Sequence, residues 1–190
     1  ALIKCQRKNG TLVKYTNYFA EYDSNFLEYR NKSIRLLEIG IQGGGSLSMW
    51  KEYFPKGKIV GIDIDDYTYL EALLDVHIFT GDQADQNFLS SIPSSFDIII
   101  DDGGHTMTQQ QTSFRCLFPK LNEGGLYVIE DLQTSYWPNF GGGYTTIDML
   151  KDMIDDINDW ARKSHRAGFF RSRKPSVDNG IRSITIADSI

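Results

Sequence analysis

The sequence predicts a doubly wound α/β domain with a mostly parallel sheet, and three observations predict it. Five short apolar runs rich in β-branched residues recur at residues 34–39, 58–63, 76–80, 96–101 and 126–130. Each run is continuous rather than alternating, as strands are when both faces of a sheet are covered. Stretches with helical apolar spacing lie between them, so the order β-α-β-α-β points to parallel strands joined by helical crossovers.

Residues 14–30 come first, with Tyr15, Tyr18, Phe19, Tyr22, Phe26 and Tyr29 at helix-like intervals. Such a stripe serves a core or a subunit interface more readily than a ligand pocket. It sets residues 1–33 apart as a helical cap on a single domain spanning 34–190. The first strand runs into a glycine-rich turn and a helix over 46–53, and another helix over 106–118 follows the fourth strand. Proline and glycine crowd residues 138–143 and make them a loop. A helix over 146–165 follows, with Ile147, Leu150, Ile154, Ile157 and Ala161 on one face, and then a last strand over 181–187. The chain opens on Ala1 rather than Met and stops at Ile190 while still apolar, so the expectation is a fragment whose sheet continues.

With 41% hydrophobic and 24% charged residues, 190 residues suffice for one ordinary globular core. A net charge of -5 argues against a general nucleic-acid binder, which would carry a basic face. The short basic cluster of Arg162, Lys163, Arg171, Arg173 and Lys174 reads as a solvated helix end or loop, with a phosphate-binding patch as the alternative. Cys5 and Cys116 have neither metal-ligand spacing nor the number for a disulfide framework, which makes a reducing cytoplasm the expected compartment. No stretch has the length and apolarity to span a bilayer, and none resembles a secretory leader.

The first run leads into Glu38-Ile39-Gly40-Ile41-Gln42-Gly43-Gly44-Gly45-Ser46. Glycines here let the backbone turn sharply and approach a ligand where a helix begins. The spacing is not that of a dinucleotide fingerprint, because Gln42 stands where its second glycine belongs. Glu38 adds a carboxylate that would repel phosphate and attract an ammonium. The second run ends on Asp63, where a carboxylate can accept ribose hydroxyls, and the third ends in Gly81-Asp82-Gln83, within reach of an adenine edge. Taken singly, each is a plain loop. Taken together, they match S-adenosylmethionine (SAM), which joins an amino-acid tail, a sulfonium and an adenosine.

The fourth run ends in Asp101-Asp102-Gly103-Gly104-His105 and the fifth in Glu130-Asp131. Neighbouring strands lie about 5 Å apart. Four carboxylates therefore meet at the rim where open α/β sheets bind ligands. Like charges so close call for a cation, and hard oxygen ligands suit Mg²⁺, with Mn²⁺ or Ca²⁺ also admissible. The other reading makes these acids helix N-caps. Successive strand residues face opposite ways, so Asp101 and Asp102 divide, one toward the cofactor and the other toward the metal. His105 adjoins the cluster and is placed to act as a general base, with metal ligand and surface histidine as the alternatives. His77 and His165 read as structural.

The segment 36–50 (LLEIGIQGGGSLSMW), with IIIDDGGH, YVIED and the closing IRSITIADSI, resembles metal-dependent sugar O-methyltransferases of the macrolide (mycinamicin-type) group, to which cephalosporin hydroxylase-like and rhamnosyl O-methyltransferase sequences are related. The likeness covers most of residues 34–137 and is weaker at the last strand. It implies a Rossmann-like sheet of the class I SAM methyltransferase type. It also implies Asp102, Glu130 and Asp131 as ligands of Mg²⁺ (or Mn²⁺) and His105 as the catalytic base. Glu38, Gly40, Gly44, Ser46, Asp63, Asp82, Gln83 and Asp101 would line the SAM site. The family usually carries Ser where this chain has Gly104, and catechol-type relatives use Lys where this chain has His105. This sequence is shorter than the macrolide enzymes and does not cover their long N-terminal region.

The expected reaction is in-line methyl transfer to a hydroxyl of a sugar or small polyol, acidified by the cation and deprotonated by His105. Tyr136, Trp137 and residues 139–143 are placed to close over the acceptor. An NAD-dependent or sugar-nucleotide enzyme on a similar sheet is the alternative class, and Gln42 speaks against it. A non-catalytic SAM- or metal-binding module is the other, and it would have no use for His105. Neither nucleic acid nor membrane is expected as a partner, while the aromatic stripe leaves room for a homo-oligomer.

Overall fold

The structure, a computed structural model, describes residues 14–15, 17–165 and 184–185, with side chains from 158 to 165 left aside. Its elements are α1 (Tyr18–Phe26), β1 (Arg35–Ile39), α2 (Gly45–Tyr53), β2 (Lys58–Asp63), α3 (Glu71–Leu74), β3 (His77–Thr80), α4 (Gln86–Ser91), β4 (Phe96–Asp101), α5 (Met107–Leu117), β5 (Leu121–Ile129) and α6 (Thr146–His165). The strands form one sheet in the order β3-β2-β1-β4-β5, and every neighbouring pair is parallel. The order reverses between β1 and β4, which opens a crevice at the carboxyl ends of those two strands.

Alternation along the strands shows why the apolar runs are continuous. Leu36, Ile59, Ile98 and Ile100 face a core built with α1 and α2. Their neighbours Leu37, Val60 and Ile99 face a second core with Leu89 of α4 and Leu117 of α5. Both faces are covered, so each strand is apolar at every position. Truncating a fully buried residue such as Leu37 to Ala would cost roughly 2–5 kcal/mol.

Most of the aromatic stripe belongs to the core, although Tyr15 is exposed. Phe19, Tyr22 and Phe26 are buried, and the rings of Phe26 and Tyr22 lie 5.9 Å and 5.2 Å from Trp50 of α2. α5 starts where the sequence places it because Thr106 and Gln109 form a reciprocal capping box. β5 starts five residues before its apolar run. Asn122, Glu123 and Gly124 are exposed there and carry no strand signature, and the pairing with β4 shifts register between Phe96 and Ile98.

The basic cluster and Cys5 lie outside the described residues, as does the last strand apart from residues 184 and 185. Ile184 packs against Phe114, Met149, Leu150 and Met153. Among the described residues, no helix is long and apolar enough to cross a membrane.

Candidate active site

Strand alternation sorts the acids before any ligand is considered. Glu38, Asp102 and Glu130 share the parity of Leu36, Ile100 and Val128, so they emerge on the face covered by α1 and α2. Asp101 emerges on the other face, where its Oδ1 accepts a hydrogen bond from Gln83 Nε2 at 3.0 Å. The ladders run on past the strand ends. Asp102 N–H donates to Ile39 O at 3.0 Å, and Glu130 N–H donates to Asp101 O at 2.9 Å. Backbone pairing therefore fixes both acids at the crevice.

Lys14 was not anticipated from the sequence. Its ammonium is 2.6 Å from both Asp102 Oδ2 and Glu130 Oε1 and 3.7 Å from Glu38 Oε1, with 2% of the side chain exposed. Burial works to lower its pKa, but Glu130, Glu38 and Asp102 outweigh it and hold the ammonium well above its ordinary range. Burial pushes Asp102 and Glu130 upward even as Lys14 pulls them down. The two short contacts are those of an ammonium between ionised carboxylates. Glu130 also accepts a hydrogen bond from Tyr22 Oη, and Asp131 Oδ1 accepts one from Tyr18 Oη at 2.7 Å. Burial, reinforced by those carboxylates, raises both phenols, so they remain donors.

On the open side of Asp102 a second arrangement forms. Asp102, His105 and Asp131 each present a ligand atom, and these atoms lie within 4.8 Å of one another. His105 Nε2 is 3.8 Å from Asp102 Oδ1 and 3.6 Å from Asp131 Oδ2. Burial lowers the His105 pKa despite the pull of Asp131 and Glu130, which favours the neutral imidazole. His105 and Asp131 both sit in left-handed backbone, at φ 57° and 56°. That conformation is uncommon for non-glycine residues and concentrates at functional sites. Thr134 supports both turns, its Oγ1 lying 3.0 Å from His105 O and 2.8 Å from Asp131 O. Glu130, named as a ligand from the family likeness, lies outside this trio, its Oε1 bonded to Lys14 and Tyr22.

The glycine turn packs against the same crevice. Gly40 has φ +82°, and a Cβ there would lie 2.1 Å from Asp102 O. Gly44 is left-handed and caps α2, and Ser46 Oγ donates to Glu38 Oε2 at 2.7 Å. Asp63 lies at the end of β2, where its Oδ2 accepts the N–H groups of Ile41 and Gln42 at 2.9 and 3.1 Å and ties the turn down. Asp82 Oδ1 accepts Ala84 N–H at 2.8 Å. The Gln83 amide is occupied by Asp101, by Ser113 and by Gly104 N–H, so this side chain joins β3 to β4. A Cβ on Gly104 would lie 2.3 Å from Gln109 Oε1, the amide that caps α5.

The methyltransferase domain family matches residues 37–132, a span that contains the glycine turn and all of the crevice acids. The chain belongs to that family. It is 46% identical over 153 residues to the mycinamicin VI 2''-O-methyltransferase of Micromonospora griseorubida, covering 72% of this chain and 38% of that protein. It is 44% identical over 167 residues to the demethylmacrocin O-methyltransferase of Streptomyces fradiae, covering 79% of this chain and 41% of that one. The MycE methyltransferase of the mycinamycin biosynthetic pathway, solved with Mg, SAH and mycinamycin VI, superposes with a TM-score of 0.77 at 41% identity over 83% of this chain and 48% of its own. The parallel sheet is thus the Rossmann-like sheet of class I SAM methyltransferases. This family member spans about two-fifths of the length of those curated relatives.

Proposed function

We propose that this protein is a SAM-dependent O-methyltransferase that uses a divalent cation, Mg²⁺ or Mn²⁺, and acts in the cytoplasm on a sugar hydroxyl of a small-molecule acceptor. The observation that carries the reading is the convergence of Asp102, His105 and Asp131 beside the Gly40 turn. Two buried features fit the cofactor. Glu38 Oε1 is fully buried and accepts no hydrogen bond among the described residues, with the Lys14 ammonium 3.7 Å away, and a buried acceptor without a hydrogen bond suits an amino group. The bare Cα of Gly40 gives a ligand close access to the backbone. The oxygen-rich trio fits a hard divalent cation, for which Asp102 and Asp131 are the carboxylates that would hold it, with Glu130 adding charge on the buried side. The MycE structure, solved with Mg and SAH at 41% identity, supports the choice of SAM and of a divalent cation.

When bound, SAM supplies an electrophilic methyl group and the cation lowers the pKa of the acceptor hydroxyl. Ser46 fixes Glu38 by donating to its Oε2, which would leave Oε1 for the amino group of the cofactor, and Asp63 ties down the glycine turn that would bind it. His105 Nε2, neutral and facing the cation site, takes the hydroxyl proton. Tyr136 and Trp137, 73% and 49% exposed on the turn leading away from Asp131, offer flat faces for a sugar ring.

The test is transfer of labelled methyl from SAM to a glycosylated polyketide. Transfer is expected to stop with EDTA and return with excess Mg²⁺. His105→Ala is expected to lower it roughly a hundredfold or more while SAM binding holds. Turnover that ignores EDTA would remove the cation from the reaction, and a fully active His105→Ala would remove the base.

A further inference from the structure

Asp131 lies beyond the end of β5 in left-handed backbone, outside the strand ladder that fixes Asp102 and Glu130. Its carboxylate is oriented from a distant part of the chain. Tyr18, 113 residues earlier, donates its phenolic hydrogen to Asp131 Oδ1 at 2.7 Å. That bond occupies one carboxylate oxygen and leaves Oδ2 toward His105 Nε2, 3.6 Å away. We propose that Tyr18 is a positioning residue of the cation site, fixing Asp131 so that Oδ2 points into the space shared with Asp102 and His105. The proposal rests on the reading that Asp102 and Asp131 hold a divalent cation.

The hydroxyl arrives on a rigid support. Further along α1 from Tyr18, Phe19 and Phe26 are fully buried, and Phe26 packs on Trp50 and Phe54 with ring centroids 5.9 and 6.0 Å away. Tyr22, one turn further on, repeats the arrangement by donating to Glu130. α1 is therefore a wall of the site as well as a core helix. A donor that orients a ligating carboxylate accounts for roughly 10–100-fold in metal affinity. It does so by removing the freedom of the carboxylate to rotate away from the ion.

The test titrates Mg²⁺ alone, by calorimetry, into the full chain as wild type, Tyr18→Phe and Tyr15→Phe. Tyr15 is a neighbouring exposed ring, 5.6 Å from Tyr18, and reports on ring packing without the Asp131 bond. Tyr18→Phe is expected to bind Mg²⁺ roughly 10–100-fold more weakly at an unchanged melting temperature, with Tyr15→Phe matching wild type. Affinity within about twofold of wild type overturns the assignment. An equal loss in Tyr15→Phe overturns it too, as does a fall in melting temperature that accompanies the weaker binding. Absence of Mg²⁺ binding by the wild type overturns the cation reading itself, and this inference with it.

Discussion

Asp101 and Asp102 are adjacent in the chain and have separate environments. Asp101 is fully buried beside Gln83 and Ser113, and burial pushes its carboxyl up to about 7. The folded protein therefore keeps a proton that the unfolded chain, near the ordinary value of 3.8, has already released. The stability this group contributes is complete below about pH 4 and is lost as pH rises through about 7. Asp101→Asn is uncharged throughout and can keep the carbonyl toward Gln83. It is expected to melt above wild type by a margin that widens from about pH 5 to about pH 8 in thermal melts, and a constant margin would contradict the burial argument. That Asp101 and Asp102 part company was legible in the sequence, because alternation on a strand requires it. Lys14, Tyr18 and Tyr22 were not. Lys14 precedes α1 and belongs to no motif, while the spacing of Tyr18 and Tyr22 is that of a core helix, and only the folded chain brings the three to acids 88 to 116 residues away.

The glycine turn shows the same division at the scale of an element. Its position between a buried strand and a helix was legible, whereas which glycines are indispensable depends on what lies opposite. Gly40 and Gly43 both have positive φ, at 82° and 73°. A Cβ at Gly40 would strike the Asp102 carbonyl, while a Cβ at Gly43 would meet nothing within 4 Å. Gly40→Ala is thus expected to cost about 3 kcal/mol or more in urea unfolding, from backbone strain plus a clash with main chain. Gly43→Ala is expected to cost only the left-handed strain of about 1–2 kcal/mol. Equal costs would mean that β1 and β4 do not approach so closely there. The strand bounds divide in a similar way. β2 and β4 begin and end where their apolar runs do, whereas β5 reaches back across an irregular polar stretch, residues 122–125, to Leu121, which pairs with Phe96.

At the scale of the whole molecule, a doubly wound sheet brings two half-sites to one crevice. The glycine turn after β1 forms one, and the acids at the ends of β4 and β5, with His105, form the other, which the proposed function would fill with SAM and a divalent cation. The chain covers about two-fifths of its curated relatives, and the fold with its crevice lies within that portion. Fold class was legible because continuous apolar strands alternating with helices admit few arrangements. The convergence of Asp102, His105 and Asp131 also needed two left-handed turns, joined through Thr134, which no spacing rule announces.

The most direct test of that convergence is anomalous diffraction from crystals of this protein grown with SAH and soaked in Mn²⁺. One strong peak is expected in contact with carboxylate oxygens of Asp102 and Asp131 at about 2.2 Å, beside His105. Bound SAH with no peak between those two carboxylates would contradict the account.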